Sequence, residues 1–508
     1  MRRIPLFLFV LFLSMSVSCA HHPGPYQDTP VLWHDDDRHP INQPEAYYSS
    51  LSWDGVDNTM FVNSMSALAV EVDEPAKNVN AHDEVPDSSW FTNRIGRMDV
   101  SPERFAQGAC DPGEKLSDEV WLATSGKVDG GNPGFAIEDP ATGRKYLLKF
   151  DSAVQPERAS SADVIGSKIY WAFGYSSPCN FMVFFDDKHI KLAPDASKED
   201  ALGGKIPLTQ EDLEKAMSTA AHTEEGLIRG SASRFVTGKP VGPWTYDGTR
   251  DDDPNDVIPH EERREIRAGR VPAAWINHFD SREQNTLTTF VATNKDDKQG
   301  WVEHYIIDFG DSMGSVWPSD EMTRRFGHSY YFDWGDIGSD LVTLGLRKRI
   351  WEKTEMNPRA KLFGYFDSEH FYPEKWKGGY FNHAFDRMDF ADGYWGAQII
   401  SRITDAHIAA AIATAYLSKP DYVDVLQSVL VERRNRIVKH WMYPVSSFQR
   451  PVTDASSLCF IDALVEGGYE SADKQHYEAR VGDNGHAIGE WVTLKADARG
   501  RICTSVDA

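Results

Sequence analysis

Two short segments of the chain combine polar side chains at spacings that suit work on phosphate groups. Residues 278–285 read HFDSREQN and place Asp280 and Asn285 five positions apart. Residues 304–312 read HYIIDFGDS and place Asp308 directly after an apolar strand pattern. Phosphoryl transfer needs little covalent help from a protein, because positioning and neutralisation of charge supply most of the catalysis. The question is whether the fold brings the two segments together.

A lysine further upstream lies where it needs an acidic partner. Three short apolar segments, 119–125, 134–139 and 145–151, are separated by glycine-containing turns and predict an antiparallel meander of strands. Lys149 lies in the third segment among apolar neighbours. A lysine on such a half-buried strand requires a carboxylate close by.

The acidic partner is expected from the helix that follows. Apolar residues at helical spacing predict a helix over 160–175, with Ser161 as its N-cap. Asp163, near the first turn, is the carboxylate that we expect to face Lys149. The alternative role for Asp163 is compensation of the helix dipole. Glu157 is closer to the strand in sequence, and too close to swing back across the sheet.

The connection between the first two strands, residues 126–135, reads GKVDGGNPGF. Gly130, Gly131 and Gly134 would let backbone N–H groups close over phosphate oxygens. A plain hairpin turn explains the same glycines, because any hairpin tolerates them. The sequence leaves both interpretations open.

The rest of the pattern predicts an α+β fold. Strand patterns at 180–185 and 189–193 follow the helix, and helical patterns dominate after residue 260. Strand and turn patterns return in the last part of the chain and predict a small β appendage. We expect three units, an N-terminal one with its extension over 80–236, a helical one over 237–443 and the appendage over 444–508.

A small antiparallel β-sheet with one helix, followed by a mainly helical half, resembles the two-lobed fold of protein kinases. The similarity covers roughly residues 115–440. HFDSREQN is similar to the kinase catalytic loop HxDxxxxN, and IIDFG contains the kinase Asp-Phe-Gly. The chain looks closer to atypical relatives, such as HipA-like toxin kinases, spore-coat protein H-like kinases and secretory-pathway kinases, than to ordinary Ser/Thr kinases.

The resemblance implies a role for each polar residue. Lys149, paired with Asp163, would hold the α and β phosphates of ATP. Asp280 would orient or deprotonate the acceptor hydroxyl, while Asn285 and Asp308 would hold Mg²⁺ or Mn²⁺. His278 would brace the loop backbone, and Gly130, Gly131 and Gly134 would cover the phosphates.

The chain departs from the kinase pattern in three places. The glycines of 126–135 lack the GxGxxG spacing, and Asp163 stands where kinases have glutamate. The segment 311–336 lacks the Ala-Pro-Glu that ends a kinase activation segment. The absence of this tripeptide fits the atypical relatives and leaves the acceptor unidentified.

Composition and the first residues indicate an exported globular protein. The chain has 508 residues, is 41% hydrophobic and carries a formal charge of −24, which argues against nucleic-acid binding and long disorder. Residues 1–19 combine two arginines, an apolar stretch and small residues before Cys19, an ending that resembles a bacterial lipoprotein signal. A lipid on Cys19 would anchor the chain to a membrane, and Ala20 favours the outer membrane. The alternative is an ordinary cleaved signal with an incidental cysteine.

The polar residues 20–79 are expected to form a tether and an irregular N-terminal segment. Four further cysteines, Cys110, Cys179, Cys459 and Cys503, permit two disulfides with three possible connectivities in an exported protein. A bond between the last two would fasten the C-terminal segment, and we treat it as a hypothesis.

Three functional classes remain for such a chain. The first is an exported phosphotransferase that uses ATP and a divalent metal on a hydroxyl group of a protein or saccharide. The second is nucleotidyl transfer, in which the same site passes on AMP. The third is a catalytically inactive, kinase-fold adaptor of the cell envelope, which the scarcity of ATP outside the cytoplasm favours. An unrelated hydrolase is remote, because the sequence contains neither GxSxG nor HExxH.

Overall fold

The protein is an α+β protein with mixed sheets, as seen in a computed structural model. The residues that the structure describes are 26, 28–30, 33–47, 55–68, 74–127, 134–199, 204–294, 298–316, 319–453, 456–480, 482–483, 486–487 and 489–505. Within these residues, no helix combines the length and the hydropathy needed to cross a membrane.

The strands form one large sheet and several small ones. They are β1 Ile41–Asn42, β2 Trp121–Lys127, β3 Gly134–Asp139, β4 Arg144–Phe150, β5 Asn180–Phe185, β6 Ile190–Glu199, β7 Lys205–Pro207, β8 Ile228–Arg234, β9 Lys239–Gly242, β10 Thr286–Ala292, β11 Gln299–Ile306, β12 Phe448–Thr453, β13 Ser457–Asp462, β14 Tyr477–Ala479, β15 Gly482–Asp483, β16 His486–Ala487, β17 Val492–Leu494 and β18 Arg501–Ser505. The α-helices are α1 Val62–Leu68, α2 Pro102–Gln107, α3 Arg158–Phe173, α4 Gln210–Ser218, α5 Arg264–Ala268, α6 Arg270–Ile276, α7 Asp320–Arg325, α8 Trp334–Thr343, α9 His383–Asp386, α10 Phe390–Ser401, α11 Asp405–Ala413, α12 Pro420–Trp441 and α13 Ala463–Glu466.

The large sheet has seven strands in the order β5-β8-β4-β3-β2-β6-β7. The meander β2–β3–β4 is antiparallel, as the glycine-containing turns predict. β6, however, pairs with β2 in parallel, with Trp121 opposite Ile190. The sheet is therefore larger than the small sheet that the sequence predicts, and it is antiparallel except for this one pair. β6 reaches β2 only after the chain has passed through α3 and β5, so no hairpin forces the pair to be antiparallel.

Helix α3 lies at the centre of the molecule, and all sixteen of its residues are buried. Ile165 and Ile169 belong to the same buried apolar cluster as Phe309 and Trp275, which lie far later in the chain. The helix begins at Arg158, so the expectation of Ser161 as its N-cap is wrong. The Ser161 hydroxyl instead accepts a hydrogen bond from the buried guanidinium of Arg229.

Helices are the commonest elements of residues 237–443, which also contain a sheet of which the sequence predicts only the strand before Asp308. The hairpin β10–β11 pairs with β9 on one side and with β1 on the other. The first two helices of this part, α5 and α6, meet at Gly269.

Part of the expected tether packs against the folded chain. β1 adds to the sheet edge at β11. The buried carboxylate of Asp37 accepts hydrogen bonds from the backbone N–H and the hydroxyl of Ser89, and Arg38 pairs with Glu303 at 2.7 Å. In this part of the segment predicted as a tether and irregular N-terminal segment, polar residues thus bind to polar partners of the fold.

Two disulfides fasten the outer parts of the molecule. Cys110, which follows α2, bonds to Cys179 directly before β5. Cys459 on β13 bonds to Cys503 on β18, which confirms the hypothesis for the C-terminal segment. These two strands and β12 form a separate three-stranded sheet, as expected for a β appendage.

Candidate functional site

Strand β4 brings Lys149 to the inner side of the large sheet. Lys149 lies opposite Gly134 on β3, and its side chain is only 11% exposed. A Cβ atom on Gly134 would lie 2.3 Å from the carbonyl oxygen of Leu148, so the two backbones approach here as only glycine permits. The close strand pairing thus fixes the backbone from which the lysine projects.

Two carboxylates face the Lys149 ammonium. Its Nζ atom lies 2.8 Å from Oδ1 of Asp308 and 3.9 Å from Oδ1 of Asp163. Burial by itself lowers the pKa of the lysine, but the charges of Asp163 and Asp308 outweigh it and raise that pKa above its usual value. Lys149 is therefore a fixed positive charge at neutral pH.

Asp163 is the buried member of this group and lies one turn further into α3 than expected. Its Oδ2 atom accepts a hydrogen bond from the Ser231 hydroxyl at 3.0 Å, and its Oδ1 atom accepts one from the backbone N–H of Phe309 at 3.2 Å. Burial raises the pKa of this carboxyl, and the ammonium of Lys149 opposes that change. Asp163 thus links β4, which carries Lys149, to the segment that contains Asp308. This role goes beyond compensation of the helix dipole.

The hairpin β10–β11 explains why Asn285 and Asp308 meet. Asn285 directly precedes β10 and Asp308 lies two residues after β11, so the antiparallel hairpin returns the chain to its starting point. The backbone N–H of Ile307 donates to the carbonyl oxygen of Asn285 at 2.9 Å. Asp308 itself has a φ of 57°, in the left-handed region that a non-glycine residue rarely adopts. This conformation costs free energy, and such strain is common at functional sites.

The ring of His278 contacts the backbone of the Asp308 segment rather than that of its own loop. The ring is fully buried, with Nε2 3.2 Å from the carbonyl oxygen of Asp308 and Nδ1 3.1 Å from the hydroxyl of Tyr170. A carbonyl oxygen can only accept, so Nε2 carries the proton and Tyr170 donates to Nδ1. Burial lowers the pKa of His278 to about 4 despite the nearby charge of Asp308, which keeps the ring neutral.

Asp280 and Asn285 form the other side of the site. The Nδ2 atom of Asn285 donates to both the carbonyl oxygen and Oδ2 of Asp280, at 2.7 and 2.8 Å. The Asp280 side chain is 18% exposed, and its Oδ1 atom lies 3.0 Å from Nε of Arg282. Burial raises the pKa of Asp280 to about 7, with Asp308 and Asp311 adding to the rise and Arg282 opposing it. A carboxyl with such a pKa can gain and lose a proton near neutral pH.

The site also contains residues to which the sequence analysis assigned no role. Arg282 lies inside HFDSREQN and pairs with Asp280. Arg158, buried at the start of α3, donates to the carbonyl oxygen of Gly310 at 2.9 Å and lies 3.6 Å from Asp311. The negative charge of Asp311 acts on the pKa of both Lys149 and Asp280. Only the position of Asp311, three residues after Asp308, could have indicated this role.

The structure thus brings Lys149, Asp163 and Asp308 into direct contact, and joins Asp280 to Asn285 beside them. Gly134 lies opposite the lysine, while Gly130, Gly131 and Cys19 lie outside the described residues. Glu157 accepts hydrogen bonds from Ser418 instead of facing the lysine.

The donor atoms present suit a divalent cation that is shared with a phosphate. Among the described residues, no group of three or more His, Cys, Asp or Glu side chains is placed to hold a metal ion. Magnesium bound together with phosphates needs only one or two carboxylates from the protein. The Asp308 carboxylate is 34% exposed, and both hydrogen bonds of the Asn285 amide use its nitrogen, so its oxygen is the atom that would bind a cation.

Comparisons with models of protein families, with curated proteins and with solved structures found no match to this chain. The geometry of the site is therefore the basis for the functional proposal.

Proposed function

We propose that this protein is an exported, lipid-anchored phosphotransferase with a two-lobed, kinase-like fold. It would transfer a phosphoryl group from ATP to a hydroxyl group of a protein or saccharide acceptor. The observation that carries the proposal is the contact of Lys149 with Asp308, two residues 159 positions apart, with Asp163 behind them. A strand lysine, a helix carboxylate and an Asp-Phe-Gly aspartate gathered in one place are the parts that phosphoryl transfer requires.

Each residue has a distinct part in this proposal. Lys149, held in its charged form by two carboxylates, binds phosphate oxygens. Asp163 holds the lysine and also the backbone of Phe309, so it positions both. Asp308 and the oxygen of Asn285 hold the cation, and Mg²⁺ or Mn²⁺, when bound, neutralises charge on the phosphates. Buried surroundings strengthen these electrostatic interactions.

Asp280 accepts the proton of the acceptor hydroxyl in this proposal. Its raised pKa makes the carboxylate basic enough to receive that proton, while leaving a substantial part of it ionised near neutral pH. The amide of Asn285 orients the carboxylate through Oδ2, and Arg282 holds the other oxygen. The acceptor oxygen then attacks the phosphorus, and the bond from phosphorus to the leaving ADP oxygen breaks.

The test measures the thermal unfolding midpoint of the purified chain with ATP and with Mg²⁺ or Mn²⁺. We expect a rise that needs both nucleotide and metal, that Asp308→Asn abolishes and that Asp187→Asn, a surface control, retains. A wild-type chain whose midpoint responds to no nucleotide with any divalent ion would overturn the proposal in favour of an adaptor. Transfer of label from α-³²P ATP but not from γ-³²P ATP would show that the protein transfers AMP rather than a phosphoryl group.

A further inference from the structure

Helix α8 presents its apolar side chains to solvent instead of to the core. All ten of its residues are described, and none of them is buried. Amphipathic helices owe most of their stability to burial of their apolar face, so a helix of this kind is expected to bury that face against something else.

The end of this helix and the turn after it form a projecting apolar tip, which we define as residues 341–346. Leu341, Val342, Leu344 and Leu346 are between 73% and 85% exposed. Leu344 has a φ of 51°, a left-handed backbone conformation that is unfavourable for leucine. Gly345 follows it directly. A Cβ atom added to Gly345 would meet no atom within 4 Å, so the turn projects into open space.

Further exposed apolar residues lie at the other end of α8. Trp334, at the start of α8, is 46% exposed, and its indole Nε1–H donates to the Ser64 hydroxyl of α1 at 3.2 Å. Met65, on the same short helix, is 68% exposed. Tryptophan and exposed leucine beside basic residues are typical of segments that lie in the boundary between lipid headgroups and acyl chains.

The charges beside the tip are positive on a strongly acidic chain. Residues 341–353 contain four basic side chains and one acidic side chain, whereas the whole chain has a formal charge of −24. Arg349 is buried and pairs with Asp336 and Asp340, the two acids of α8. Arg347 and Lys348 are exposed and remain as the net positive charge next to the leucines.

A cavity of about 420 Å³ opens beside the tip, and its lining includes Arg347, Lys348 and Trp351, which directly follow the tip in the chain. Its lining contains six Lys or Arg side chains and three carboxylates, and two of the six, Arg349 and Lys377, are already paired with Asp336 and Asp333. A cavity of this charge on an acidic protein selects a negatively charged group, such as the phosphate of a lipid headgroup.

We propose that the tip and the cavity beside it dock this protein onto an anionic membrane surface. The leucines enter the apolar edge of the bilayer, while Arg347 and Lys348 contact lipid phosphates. A convex tip flanked by basic side chains fits a bilayer better than it fits a protein groove, in which the cations would need acidic partners. The proposal stands independently of the phosphotransferase proposal, since it requires neither nucleotide nor acceptor.

The test is co-sedimentation of the unlipidated chain from residue 20 onward, which keeps every element that the structure describes, with lipid vesicles. We expect it to bind vesicles of phosphatidylcholine with phosphatidylglycerol, to bind pure phosphatidylcholine at least about tenfold more weakly, and to dissociate as salt rises. The double variants Leu341→Glu/Leu344→Glu and Arg347→Glu/Lys348→Glu should each weaken binding at least about tenfold.

The matched control is Val154→Glu/Val257→Glu, which changes two apolar residues outside the tip that are 86% and 67% exposed. It should alter vesicle binding by less than about twofold, and all variants should keep the circular dichroism of the wild type. Three results would overturn the proposal. They are equal sedimentation with and without anionic lipid, an equal loss in the control variant, and a wild-type dimer that Leu341→Glu/Leu344→Glu dissociates, which would make the tip an interface between two copies.

Discussion

Lys149 Nζ and Asp308 Oδ1 lie 2.8 Å apart, although β4 and the end of β11 are separated by more than 150 residues of chain. Asp163 lies behind this pair at 3.9 Å from the same ammonium. One buried cation with two carboxylates is a charged group whose members depend on one another, because removal of the cation leaves a buried carboxylate without its counter-charge. The site is thus both a structural link between β4, α3 and β11 and a candidate for phosphate chemistry.

The first prediction concerns the dependence of the buried Asp163 carboxylate on the Lys149 ammonium. Lys149→Met should lower the free energy of unfolding by about 3 kcal/mol, because Asp163 stays buried without its cation. Lys149→Met/Asp163→Asn should recover more than half of that loss, since the amide keeps an oxygen for the N–H of Phe309 and needs no counter-charge. Urea unfolding of the two single variants and the double variant measures the coupling. Losses that simply add would show that the two residues do not interact.

The second prediction concerns the proton on Asp280. Its pKa is about 7 in the folded chain and near its ordinary value of 3.8 in the unfolded chain. The folded chain therefore binds more protons between these two values, and its free energy of unfolding falls as the pH rises through that window. Asp280→Asn removes this dependence. As the pH rises from about 4 to about 7, the free energy of unfolding of the variant should therefore increase relative to that of the wild type.

Activity should depend on the same proton in the opposite sense. The ionised form of Asp280 is the base, so the rate of label transfer should rise with pH and level off above about 7. Asp280→Asn should lower the rate by roughly 10²- to 10⁴-fold and remove this inflection. An inflection near 7 that persists in the variant would assign it to another group.

The third prediction tests the packing of Phe309 under Asp308. A Cβ atom on Gly166 of α3 would lie 2.6 Å from Cβ of Phe309, so Gly166→Ala must shift the Asp-Phe-Gly segment. We expect a loss of about 2 kcal/mol in unfolding free energy and a weaker response to ATP and metal. Gly338→Ala is the matched control, because Gly338 also lies in a helix and has open space around it. The control should be neutral or stabilising by up to about 1 kcal/mol, and equal losses in both variants would refute the packing argument.

The fourth prediction concerns the disulfide Cys110–Cys179, which closes a segment of 69 residues. Cys110→Ser/Cys179→Ser should lower the free energy of unfolding by about 4 kcal/mol through the greater freedom of the unfolded chain. Urea unfolding of the oxidised protein, the reduced protein and the variant provides the measurement. Identical midpoints for the oxidised protein and the variant would contradict the expected stabilisation.

The strands around Lys149 were predictable because their signals are local. β3 and β5 have the expected bounds, and β2 and β4 differ from the predicted segments by one or two residues. Alternation of apolar residues and glycine-containing turns depends only on neighbouring positions, and it also sets the face to which Lys149 points.

The pairing of distant segments was not predictable in the same way. The parallel contact of β6 with β2 and the packing of Asp37 against Ser89 depend on partners far along the chain. Of the hairpin β10–β11, the sequence indicated only the strand before Asp308, because helical patterns surround the rest. This hairpin returns the chain from Asn285 to Asp308. The sequence therefore identified these two residues, but not the hairpin that brings them together.

The most direct test of the central claim is a crystal structure with a non-hydrolysable ATP analogue and Mn²⁺, using the anomalous signal of manganese to locate the ion. We predict a manganese peak at roughly 2.0–2.3 Å from a carboxylate oxygen of Asp308 and from the amide oxygen of Asn285, with phosphate oxygens beside Lys149. Nucleotide bound elsewhere would contradict the account. So would crystals that were soaked in both ligands but keep the Lys149–Asp308 contact and show no manganese between Asp308 and Asn285.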